Sequence, residues 1–174
     1  MNYLGTYTLF KKEVLRFIKV YNQTLIAPVI TGLLFLAVFQ LAIGERVNAV
    51  GEVPFGVFMA SGLIIMTVVQ QAFANTSSSL IMGKVLGNII DYLMPPLSAG
   101  EIIFAMVMAS VLRGLLIAML AGIAIYIFVP FSVYSFPIMI FYLFFAAMML
   151  ALLGFSPECL PRALTRWPPL LAIL

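Results

Sequence analysis

The stretch IMGKVLGNIIDYLMPPLSAGE, Ile81 to Glu101, separates two very apolar runs and carries a pattern of its own. Ile81, Val85, Ile89 and Leu93 recur at helical spacing, while Lys84, Asn88 and Asp91 recur on a different face. That pattern predicts a short amphipathic helix. Pro95-Pro96 ends it, because proline lacks the N–H and clashes with the preceding turn. Ser98 stands three residues before Glu101, just ahead of an apolar run, a capping-box signature that opens a new helix.

The rest of the chain explains why a helix there matters. Of its 174 residues, 64% are hydrophobic and 9% charged, against roughly 25% charged in soluble domains. This is the composition of an integral membrane protein. There is no histidine, and Cys159 is the one cysteine. An internal disulfide, His-based catalysis and zinc sites of the usual His/Cys kind are thereby excluded. No basic stripe on a soluble surface points to nucleic acid. No phosphate-binding loop is present, so the chain carries no ATPase site of its own.

Working outward, Phe55 to Val69 upstream is an apolar span that starts at Pro54 or Phe55. Its far end turns polar through Gln70, Gln71, Asn75 and Thr76-Ser77-Ser78-Ser79, as expected of a helix that runs on past the membrane. A short polar loop with Glu45, Arg46 and Glu52 precedes it. Before that, Leu25 to Ile43 forms a first span, with Pro28 near its start and Gly44 at its end. Roughly 20 residues suffice to cross the hydrocarbon core. Met1 to Gln23 places Phe10, Val14, Phe17 and Tyr21 on one helical face, and Lys12, Arg16, Lys19 and Gln23 on the opposite one. Lys11 joins the basic side, and Glu13 is the one acid. This reads as a basic amphipathic helix lying in the interface against anionic lipid. A plainer reading, a flank whose charges only set topology, stays open.

Downstream, Ile102 to Val129 is a third span, long enough to require tilt or protrusion, and Pro130 closes it. After a turn over Phe131 to Ser135, Ser135 can cap a fourth span with Pro137 in its first turn. That span runs from Phe136 to about Phe155. The remainder, 156–174, is an atypical Pro-rich tail without sustained period. The expected fold is therefore all-α: a polytopic membrane protein with four transmembrane helices. The Lys/Arg bias places Lys11, Lys12, Arg16, Lys19, Lys84, Arg162 and Arg166 inside, which makes the N-terminus cytoplasmic and puts Ile81–Glu101 on the cytosolic side.

In this layout the string Gly83 to Glu101, with the order of elements before it, resembles the ABC-2 type permeases, membrane subunits of ATP-binding-cassette exporters. The resemblance covers Met1 to about Phe155. It implies that Gly83 to Tyr92 is a coupling helix seated on a separate ATPase subunit, with Gly83, Lys84, Gly87, Asn88, Asp91 and Tyr92 as its contacts. It also implies that the N-terminal helix is the interfacial, connecting helix, that a second permease copy completes a homodimer, and that ATP is bound by the partner, with no cofactor in this chain. The implied location is the bacterial inner membrane. Such permeases have six spans, so 1–155 reads as an incomplete ABC-2 domain. The tail then reads as out of register with the ancestral reading frame, the chain being a C-terminally truncated permease.

Arg113 is the one ionisable residue well inside an apolar run, about 18 Å along the axis from Glu101 at the usual helical rise. A charge there needs a partner or a wet path. A contact in a dimer interface or translocation path and a side chain snorkelling to the headgroups are both open. Gly83 and Gly87 form G-x-x-x-G outside an apolar twenty-mer, a weak dimer signal. Three functions are carried forward. The first is the permease subunit of an ABC-2 exporter, itself not an enzyme. The second is a non-transporting scaffold or assembly protein. The third is a small secondary transporter, which would ordinarily need an intramembrane carboxylate that the four spans lack.

Overall fold

The computed structural model describes residues 2–44, 49–50, 53–87, 95–130 and 135–155. Within them the chain forms α1 (Tyr3–Lys19), a π-helical turn (Asn22–Ile26), α2 (Ala27–Ile43), α3 (Phe55–Val85), α4 (Ala99–Phe128) and α5 (Phe136–Leu153). A two-residue antiparallel ladder, Ala49–Val50 with Val53–Pro54, links α2 to α3. Four helical segments are long and apolar enough to cross a membrane: Asn22–Ala42, Phe55–Gly83, Ala99–Phe128 and Phe136–Leu153. The all-α, four-span architecture is as expected.

The central element is α4. It packs on α1, α2, α3 and α5. Half of its most apolar window is buried in protein, against 6% for the first span, so the described residues leave most of the surface of α2 uncovered. Lipid tails are as apolar as leucine, so helices in a bilayer associate through close packing rather than through hydrophobic burial. Small residues provide that closeness here. Ala72 of α3 and Ala147 and Ala151 of α5 join Val68, Val107, Val111 and Leu143 in one core cluster. At Gly114 of α4 an added Cβ would stand 3.2 Å from Val68 Cγ1 and 3.6 Å from Ala147 Cβ, so a side chain there would push the helices apart. Leu36, Ala60 and Ile125 form a second cluster that holds α2 to α3 and α4.

Several local expectations hold. Ser98 caps α4 by a full capping box: its Oγ accepts from Glu101 N at 3.4 Å, and Glu101 Oε2 accepts from Ser98 N at 2.8 Å. Pro28 lies in the first turn of α2, and α4 stops at Phe128, before Pro130. Ser135 occupies the N-cap of α5 but makes no side-chain cap bond. Pro137, in that first turn, has no N–H to give it.

Two expectations change. The helix expected over Ile81–Leu93 does not begin at Ile81. Ile81 to Val85 are the last turn of α3, which is 31 residues long. The break comes after it, at Gly87, whose φ of +72° is the left-handed conformation that glycine adopts without a Cβ penalty. Asn88, Asp91 and Tyr92 lie outside the described residues. Secondly, α1 ends at Lys19, and its buried residues are Leu9, Glu13 and Phe17, with Tyr21 exposed. Its inner face packs along α4. The second span does run on beyond the length a crossing needs, as expected, since α3 extends to Val85, and its polar end stays within the bundle. Asn75, Thr76 and Ser79 are buried within it.

Candidate functional site

Those buried polar residues converge on one place. Arg113 of α4 donates from Nη1 to Asn75 Oδ1 at 3.1 Å. Its Nη2 donates to Gln71 Oε1 and, at 3.5 Å, to the backbone oxygen of Thr24 in the π-helical turn. Arg16 of α1 reaches the same asparagine, donating from Nη2 to Asn75 O at 3.1 Å and to Asn75 Oδ1 at 3.2 Å. Asn75 Oδ1 therefore accepts from two guanidinium groups. Its Nδ2 donates to Ser110 Oγ at 2.8 Å, and Ser110 in turn donates to Met106 O at 2.9 Å and lies 2.8 Å from Thr76 Oγ1. On the α1 side, Glu13 pairs with Arg16 at 3.1 Å and accepts from Ser79 Oγ at 2.9 Å. The result is a polar knot joining α1, α3, α4 and the π-helical turn.

Membrane depth explains how such a knot is tolerated. Counting roughly 20 residues from Phe55 reaches Ala74, and counting as many back from Phe128 reaches Ala109. These positions adjoin Asn75 and Ser110, which bond each other. The knot thus straddles the edge of the hydrocarbon slab nearest α1. A charge at the bilayer centre costs roughly 2.5–3.5 kcal/mol on insertion scales. Here the guanidinium of Arg113 has acceptors within the chain that offset part of that cost.

A second tie lies at the start of α1. Glu101 Oε1 accepts from Asn2 N at 2.7 Å while Oε2 serves Ser98. One carboxylate thus holds the N-cap residues of two helices, since Asn2 caps α1 by accepting from Gly5 N at 3.1 Å. Gly5 sits against Leu97, its Cα so near that an added Cβ would be 2.8 Å from Leu97 Cδ2.

The expected interfacial residues divide. Lys11, Lys12 and Lys19 lie on the exposed side of α1. Arg16 does not share that face: Glu13 and Asn75 draw it into the knot, where acceptors outcompete water. Of the expected coupling residues, Gly83 and Lys84 belong to the last turns of α3, and Gly87 follows it. Sequence reasoning missed Glu13, Gln71, Asn75, Ser79 and Ser110 as a set. Two signals could have found them. Glu13 stands between Leu9 and Phe17 at four-residue spacing, an acid on the apolar stripe. Gln71, Asn75 and Ser79 repeat at that same spacing, a polar stripe along α3.

A family model described as ABC-2 type transporter matches residues 5–156. The chain is 34% identical over 147 residues to the inner membrane transport permease YadH of Escherichia coli K12, which covers 84% of this chain and 57% of that protein. The permeases of the same name from Escherichia coli O157:H7 and Shigella flexneri match with the same figures. The chain therefore spans 57% of the length of these curated relatives. No solved structure matches it.

Proposed function

The chain belongs to the ABC-2 type transporter family, and on that premise we propose that it is the membrane subunit of an exporter driven by a separate ABC ATPase. It sits in the inner membrane, as its relatives' name says of them, with the N-terminus cytosolic, and works as a homodimer. ATP is bound and hydrolysed by the partner, and the chain needs no cofactor.

The observation that carries this reading is the pair of ties on either side of the inner loop. The loop leaves α3 after Val85 and re-enters at Ser98. Its departing flank is fastened to α1 through Ser79 and Glu13, and its returning flank through Glu101 and Asn2. A push on Gly83 to Tyr92 by a closing ATPase pair would move α1, α3 and α4 as one body. The knot at Arg113 would carry that motion to the membrane edge. A secondary carrier fits less well. Among the described residues the carboxylate in a span is Glu101, and both its oxygens are engaged as a double cap.

Co-expression of the tagged chain with an ABC ATPase from the same genome tests the proposal. The ATPase should co-elute, and Lys84→Ala with Asp91→Ala should reduce the amount recovered. A helical, detergent-stable chain that elutes with no ATPase would support the scaffold reading instead.

A further inference from the structure

A groove of about 420 Å³ runs between α2 and α3. Its polarity is graded along its length. At one end stand the side-chain amides of Gln23, Gln70 and Gln71; at the other, Gly32, Phe35 and Leu63. Thr31 and Thr67 lie between, but each hydroxyl is already donated to its own helix, to Ala27 O at 2.9 Å and Leu63 O at 2.7 Å. The amide end is level with the knot, at the edge of the hydrocarbon slab, where lipid headgroups begin.

The charge beside that end is not balanced. Within the knot Glu13 pairs with Arg16, whereas the acceptors of Arg113 among the described residues are neutral: Asn75, Gln71 and the Thr24 carbonyl. Arg113 is 7% exposed, and its Nε has no partner among the described residues. Gln71 passes this charge on. Its carbonyl oxygen faces the guanidinium, so its amide nitrogen, on the other side of the same planar group, presents donors away from Arg113 while Gln71 lines the groove. Amide donors backed by an uncompensated cation at one end, and an apolar trough at the other, complement one molecule with an anionic head and a hydrocarbon chain. A second copy of this chain is a poorer occupant. The carboxylates among its described residues, Glu13 and Glu101, are both buried and bonded.

We infer that this groove seats one anionic phospholipid, its phosphate at Gln23, Gln70 and Gln71 and an acyl chain along Gly32, Phe35 and Leu63. The site depends on membrane embedding alone and is independent of the export reading.

Native mass spectrometry of the purified chain is the test, after incubation with an equimolar mixture of phosphatidylglycerol and phosphatidylcholine of identical acyl chains. One phosphatidylglycerol per chain should be retained in preference, by about fivefold, the effect of roughly one basic charge at a membrane surface. Gln23→Leu with Gln70→Leu, both exposed positions, should abolish the preference. Gly32→Leu should reduce retention of either lipid by filling the trough, and it provides a second arm should the double variant misfold. Equal retention of the two lipids overturns the inference. So does a preference that survives both groove variants but disappears in Lys11→Gln, Lys12→Gln, Lys19→Gln, which would assign it to the exposed lysines. Protection of the groove by a second copy, seen as a lipid-free dimer, overturns it as well.

Discussion

Asn75 is the residue on which the polar knot depends. Its one side-chain oxygen accepts from Arg16 and Arg113, and its amide nitrogen donates to Ser110. Hydrogen bonds to charged groups contribute about 1.5–3 kcal/mol each, and a buried donor left unmet costs its desolvation in full. Asn75→Leu is therefore expected to destabilise the chain by about 3–5 kcal/mol, the range for breaking a buried charged contact. Ser61→Ala, at an exposed hydroxyl bonded to its own helix, should stay within about 0.5 kcal/mol. Unfolding in mixed micelles, followed by circular dichroism, compares the two; equal stabilities would mean that Asn75 holds nothing together. Arg113 was legible at this scale as a charge in need of a partner. The partner was not, because Asn75 is 38 residues away and only the antiparallel pairing of α3 with α4 brings it near.

Among the helices, the decisive contact is the meeting of α3, α4 and α5 around Gly114. A side chain there meets Val68 and Ala147, and overpacking a tight core costs about 1–3 kcal/mol. Gly114→Leu is expected to fall in that range or above it. Gly122→Ala, on the same helix with nothing within 4 Å of its added Cβ, should be neutral or stabilising, since alanine favours helix by about 1 kcal/mol over glycine. Thermal unfolding of both variants in detergent gives the ordering; a Gly114→Leu as stable as Gly122→Ala would show that the helices are not in close contact. The element boundaries show where periodicity reaches its limit. Ile81 and Val85 fit an independent amphipathic helix and the end of α3 equally well. The choice rests on the backbone at Gly87, and a four-residue repeat of apolar side chains carries no record of a φ angle downstream of it. Ser98 and Glu101 were legible because a capping box is local, its donors and acceptors lying within one turn.

Over the whole molecule, α1 is part of the bundle. The ties at Glu101 and at the knot fix both its ends, and the close approach of Gly5 to Leu97 offers a direct check. With Gly5→Cys and Leu97→Cys combined, a mild oxidant should form an intramolecular disulfide, seen as a mobility shift reversed by reductant. A helix riding free on the lipid surface would cross-link slowly or between molecules. Composition and hydropathy by themselves determined the membrane, the four spans and the all-α class, because crossing a bilayer obliges each segment to satisfy its own backbone, a constraint written in every apolar run. The order of elements around Gly83 to Glu101 also carried the family. Only the tertiary structure decided which polar residues face inward. The opening helix reads from its lysines as an interfacial cylinder, yet Glu13 and Arg16 turn into the bundle because acceptors and donors on α3 meet them there. The stretch Ile81 to Glu101 divides along the same line. Its returning half, closed by Ser98 and Glu101, follows from local chemistry. Its first five residues, Ile81 to Val85, belong to α3, and the backbone at Gly87 marks where that helix ends.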